Sequence, residues 1–103
     1  MKKKETTFEG KVKEDLDTLQ DKGLLWHRKI QQVSIRGVPD RLVCLKGGIF
    51  MALECKKSNK ENPDSLQLYN LKKIRSLGGF ALVIFPENWK DVYRKIRILV
   101  GDK

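Results

Sequence analysis

Histidine is almost missing from this sequence and cysteine is scarce: one histidine, His27, and two cysteines, Cys44 and Cys55, in 103 residues. The cysteines do not stand in a close-spaced metal or redox pattern, and each lies inside an apolar strand-like run, so both are expected as buried thiols. No Cys or Asp motif surrounds His27, which is expected in a surface or packing role rather than as a catalytic base. Long apolar runs are also missing. The longest, such as FALVIF at residues 80–85, are far too short to span a bilayer. The basic opening MKKKETTF leads into no apolar segment, so no secretory signal is expected and a reducing cytoplasm is the expected compartment. There are no repeats, low-complexity stretches or linkers, and residues 1–103 read as one domain with one core.

Acidic residues are outnumbered, 13 against 22 Lys and Arg, for a formal net charge of +9. An excess of this size points to a polyanionic partner, nucleic acid before a membrane surface.

Apolar spacing organises the rest. Phe8, Val12, Leu16 and Leu19 share one face of a helix from about residue 7 to 22, capped by Thr6 or Thr7 and ended by Gly23. LLWHRKIQQV carries too many charges for a central strand and reads as an edge strand, and SIRGVPD reads as a loop. RLVCLK and IFMALECK flank Gly47-Gly48 as the two arms of a β-hairpin. The second arm is apolar on both faces, which places it inside a sheet covered by helices. Asn62 and Pro63 can start a helix with a stripe of Leu66, Leu71, Ile74 and Leu77, and Gly78-Gly79 can end it. FALVIF is a short strand closed by Pro86, and a last helix from about Glu87 presents Trp89, Val92, Tyr93 and Ile96 inward. The fold class is therefore α/β, in the order αβββαβα, with a mixed four-stranded sheet flanked by helices.

Three charged residues sit where apolar ones would pack better. Glu54 and Lys56 leave the same face of one strand, about 6–7 Å apart. Asp40 stands at the near end of the partner strand. Two converging carboxylates suit a hard divalent ion such as Mg²⁺ or Mn²⁺, and a lysine beside them can orient or deprotonate a water and offset phosphate charge. Register sets a condition. A two-residue turn at Gly47-Gly48 pairs Lys46 with Ile49, sets Asp40 opposite Cys55 and points it away from Glu54. Sharing a metal then requires a bulge, an odd loop or irregular backbone before the strand, and Pro39 favours the last.

RGVPD, a Gly-Gly hairpin and ALECKK, followed by a helix with a glutamine, resemble the motif of the PD-(D/E)XK nuclease superfamily, most closely its stand-alone VRR-NUC branch; the archaeal Holliday-junction resolvases are similar in plan. The resemblance covers nearly the whole chain and implies a restriction-endonuclease-like core. It implies that Asp40 and Glu54 hold the metal, joined by Glu9 of the first helix. Lys56 matches the lysine of the E-x-K pair, and Gln67 a glutamine beside the site. Where some relatives carry a tyrosine four residues after the glutamine, this chain has Leu71, so Tyr69 is given no catalytic role.

The expected function is metal-dependent hydrolysis of DNA phosphodiesters leaving a 5′-phosphate, on branched DNA such as Holliday junctions, by a homodimer; a compact nuclease of this kind suits a phage. Ser34 and Arg36, in the loop before Asp40, are expected to touch phosphate. Lys57, Lys60 and Lys72, with Lys73, Arg75 and the N-terminal lysines, form the expected track for a DNA backbone. Trp26 and Trp89 are expected in the core or at a subunit interface. The alternatives are a nuclease of the same chemistry on linear DNA in repair or restriction, and a non-catalytic basic DNA-binding module.

Overall fold

The first helix begins where a threonine can satisfy an orphan backbone donor: Thr7 Oγ1 accepts from the Gly10 amide at 3.0 Å, and α1 runs over Phe8–Asp21 in the computed structural model, which describes residues 7–31 and 35–103. Ser34 and the N-terminal lysines lie outside the described residues. Gly23, at φ +76°, ends the helix, and the Leu24 amide reaches back to the Leu19 carbonyl. Val12, Leu16 and Leu19 are fully buried, each burial contributing roughly 1.5–3 kcal/mol.

The remaining elements follow in the expected order: β1 (Leu25–Lys29), β2 (Arg41–Leu45), β3 (Ile49–Cys55), α2 (Ser65–Ser76), β4 (Phe80–Ile84) and α3 (Trp89–Leu99). The sheet order is β1-β2-β3-β4, antiparallel across the first three strands and parallel between β3 and β4. Helices α1 and α3 share one face, where Val43, Leu45, Met51, Leu53 and Ile84 pack with Leu16, Leu19, Trp89 and Ile96. No helix among the described residues is long and apolar enough to cross a membrane.

The other face is only partly covered, which corrects several expectations. Helix α2 lies along β4 and buries only Leu71 of its apolar residues; Leu66 is 45% exposed and Leu77 85%. Cys44 is exposed, because it points to the uncovered part of that face, while Cys55 is half-buried against the core on the α1 face. Trp89 does enter the core; Trp26 is 48% exposed, with the Arg28 guanidinium 4.8 Å from its ring centroid, which excludes the core but not an interface for it. Helix α2 starts at Ser65, not at Asn62-Pro63. Asp64 is its cap, since Asp64-Ser65-Leu66-Gln67 closes a capping box that Asn62 cannot form.

Both sheet edges are closed by side chains. On β1 the outward amide of His27 donates to Gln20 Oε1 at 2.9 Å, and its carbonyl accepts from Arg28 Nη1 at 2.6 Å. On β4 the carbonyls of Ala81 and Val83 accept from Arg75 Nε and Asn88 Nδ2, at 2.9 and 3.0 Å. Another strand cannot add to either edge without displacing these groups.

The hairpin loop has three residues. Leu45 pairs with Ile49 across Lys46-Gly47-Gly48, the Gly48 amide donates to the Leu45 carbonyl at 2.9 Å, and both glycines hold positive φ, +93° and +79°. Every pairing is thereby shifted by one residue from that of a two-residue turn. Arg41 lies opposite Leu53, and continuing that register by one step sets Asp40 opposite Glu54.

Candidate active site

Strand alternation now works in favour of the two carboxylates, since residues paired directly across a ladder share a face. Asp40 sits one residue before β2, yet its carbonyl still accepts from the Ile30 amide at 2.7 Å, so the ladder continues past the last strand residue. Its Oδ2 accepts the Cys55 amide at 2.6 Å, which holds the carboxylate against the end of β3. The odd loop and the bend before β2 together meet the condition that the sequence set.

Glu54 is 3% exposed. Its Oε2 accepts from Gln67 Nε2 at 2.9 Å and lies 3.5 Å from Lys56 Nζ, while its Oε1 is buried with no hydrogen-bond partner among the described residues. Burial, and then the neighbouring Asp40 carboxylate, push the Glu54 carboxyl up to about 7; Lys56 pulls against them.

Gln67 links the parts. Its Oε1 accepts both Lys56 Nζ at 3.1 Å and the Asp64 amide at 2.9 Å, which leaves its Nε2 as the donor to Glu54. The same Asp64 caps α2 by accepting the Gln67 amide at 2.8 Å. The helix cap therefore fixes the carboxamide, and the carboxamide fixes both the carboxylate and the ammonium. The sequence reading missed Asp64, although the D-x-x-Q spacing that marks it was present.

Glu9 lies in the first turn of α1, on a cleft of about 360 Å³ that Cys55, Lys56 and Lys57 also line. There it forms an ion pair with Lys29 at 3.3 Å. Among the described residues no three His, Cys, Asp or Glu side chains gather into a metal set, so Glu9 does not join the neighbouring Asp40 and Glu54 in one. Cys55 is no nucleophile: burial first, and the Asp40 and Glu9 carboxylates after it, push its thiol up to about 12. Arg36, Lys57, Lys60 and Lys72 are exposed on loops and on α2, and Tyr69 is 57% exposed. His27 is buried in a polar network with Asp17 and Arg41, consistent with a packing role.

A buried carboxylate oxygen with no donor, beside a second carboxylate, fits a hard cation. Asp40 and Glu54 would hold it, with Lys56 and Gln67 alongside.

No protein-family model matches the chain, and no curated protein does. A solved structure described as a "VRR_NUC domain" does match, with a TM-score of 0.65 and 26% identity, over 94% of this chain and 98% of that one. The likeness runs nearly end to end in both molecules and extends from fold to sequence; it supports the VRR-NUC family of the PD-(D/E)XK nuclease superfamily, and the mixed four-stranded sheet between helices is consistent with that group's restriction-endonuclease-like core.

Proposed function

We propose that the protein is a metal-dependent endonuclease that hydrolyses DNA phosphodiester bonds. The observation that carries the proposal is the Glu54 carboxylate, buried beside Asp40 with Oε1 unpartnered and tied through Gln67 to Lys56. Leaving such a group in a folded core costs on the order of 1–3 kcal/mol, and more when it is charged, so an ordinary structural role does not account for it. Mg²⁺ or Mn²⁺ bound there would neutralise the carboxylates, polarise a phosphoryl oxygen and make water more acidic.

The chain's own residues would do the rest. Lys56, held by Gln67 and only 16% exposed, is aimed to orient or deprotonate the attacking water and to offset charge on the phosphate. Glu9, on the neighbouring cleft that Lys56 also lines, would serve as a further ligand once released from Lys29. Arg36, Ser34, Lys57, Lys60 and Lys72 would grip the DNA backbone, a contact set that reads shape and charge rather than sequence.

A branched substrate such as a Holliday junction is favoured, cut by a homodimer that sets two sites across the junction. With both sheet edges closed, two copies would meet through a face rather than by strand addition. Cleavage of synthetic four-way junctions, flaps and linear duplexes, run beside a sizing measurement, tests this. Paired symmetric nicks by a dimer support it, and cutting confined to linear duplex rejects the junction. Equal DNA binding with no cleavage by wild type and Lys56→Ala alike, in Mg²⁺ or Mn²⁺, would leave only a DNA-binding module.

A further inference from the structure

Asp40 and Arg41 are consecutive, so the strand sends their side chains to opposite faces of the sheet. Arg41 points to the α1 face and is 5% exposed. Its Nη1 lies 2.9 Å from His27 Nδ1. A guanidinium can only donate, so Nδ1 must be the acceptor and the imidazole proton sits on Nε2, which donates to Asp17 Oδ1 at 2.7 Å. The neutral ring is thus a spacer that aims Arg41 while keeping the carboxylate a ring's width away. Among the described residues no carboxylate forms an ion pair with Arg41, although both Asp17 oxygens are taken, the second by Lys13 at 2.7 Å.

A buried cation without an anion is an expensive arrangement. Here it opens onto a pocket of about 290 Å³ lined by Lys13, Asp17, His27, Arg28, Lys29 and Arg41. Four cations line that space; Lys13 is paired with Asp17 and Lys29 with Glu9, which leaves Arg28 and Arg41 without a carboxylate among the described residues. Arg41 has five N–H donors in a rigid fork and, among the described residues, spends one on His27. The remaining donors match the paired oxygens of a phosphate group.

We propose that this pocket is an anion site built on Arg41, separate from the carboxylate pair, which takes a phosphate group, and that its occupant is a backbone phosphate of the nucleic acid. The identity of the occupant rests on the nuclease reading; the capacity to hold phosphate does not. A strand that passes the end of β2 meets Asp40 on one face and Arg41 on the other, so the pocket would hold the substrate beyond the reacting phosphate and fix its path across the sheet end. Arg28 and Lys29, on the edge strand β1, continue the positive surface outward.

The test is a titration of the wild-type protein in EDTA with inorganic phosphate, followed by the side-chain ¹⁵Nε signal of Arg41 and the backbone amides of His27 and Arg41. A parallel measurement takes DNA affinity against salt for wild type and Arg41→Gln, whose amide can still donate to His27. Saturable phosphate shifts are expected, together with about a tenfold loss of DNA affinity and a salt slope smaller by about one in Arg41→Gln. Phosphate shifts with unchanged DNA affinity and slope would make this a site for free phosphate and overturn the nucleic-acid occupant. No saturable shift at Arg41 would overturn the site itself. The titration needs neither metal nor cleavage, so its outcome stands even if the nuclease reading fails.

Discussion

Replacing Glu54 by glutamine removes a charge that the fold holds at a disadvantage, and the gain should depend on pH. The folded carboxyl lies at about 7 against an ordinary 4.5. Below pH 4.5 it is protonated in both folded and unfolded chains and nothing is lost. As pH rises through the window from 4.5 to 7, the unfolded chain gives up its proton first, and the folded state loses stability until the folded carboxyl has titrated as well. At roughly 1.4 kcal/mol per pH unit, the loss by pH 8 is about 3 kcal/mol. Glu54→Gln has no such proton. Its carbonyl can accept from Gln67 Nε2, and its amide would take the place of Oε1, which now stands unpartnered among the described residues. Urea unfolding in EDTA should therefore show the variant level with wild type near pH 4.5 and about 3 kcal/mol more stable at pH 8. His27, whose burial holds its imidazole below the ordinary value, is present in both proteins and cancels in the difference. At saturating Mg²⁺ the order should narrow or reverse, because only wild type gains ligand-binding free energy, about 2.7 kcal/mol at a hundredfold excess over Kd. A variant that is no more stable at pH 8 than at pH 4.5, relative to wild type, would refute the account of Glu54 as a destabilised buried carboxylate.

Gln67→Ala leaves Glu54 and Lys56 without their shared partner; a stability loss of about 1–3 kcal/mol by urea unfolding and a fall in cleavage are expected together. Asp64→Ala removes the α2 cap and should cost about 1 kcal/mol, with a smaller fall in cleavage than Gln67→Ala, since it loosens the carboxamide without deleting it. Gly37 holds φ +81°, and a Cβ there would lie 2.6 Å from Leu66 Cγ, so Gly37→Ala should destabilise by more than about 1 kcal/mol in thermal or urea unfolding.

The order of elements was legible because each carries its own period: the 3–4 spacing of Val12, Leu16 and Leu19, the Gly-Gly hairpin, and the unbroken FALVIF strand. The loop length was not. Gly47-Gly48 matches a two-residue turn as well as it matches the last two positions of a three-residue loop, and only pairing across the whole hairpin, with Val43, Leu45, Met51 and Leu53 all on the covered face, decides between them. That single residue is what sets Asp40 opposite Glu54. The exposure of Trp26, Cys44, Leu66 and Leu77 was hidden for a related reason: an apolar pattern states which residues can be covered, not how far one short helix reaches across a sheet. Asp17, His27 and Arg41 gave no local signal, because they come from α1, β1 and β2 and meet only once the register is set.

The central claim, that Asp40, Glu54 and Lys56 form a metal-dependent phosphodiester site, is tested most directly by single-turnover cleavage of a labelled four-way junction. Wild type, Asp40→Asn, Glu54→Gln and Lys56→Ala would be compared in Mg²⁺, Mn²⁺ and EDTA, with DNA binding measured on the same samples. The account predicts cleavage by wild type in the metals alone, and losses of at least about a hundredfold in each variant while binding persists. Cleavage that survives in EDTA, or variants that cut as fast as wild type, would contradict it.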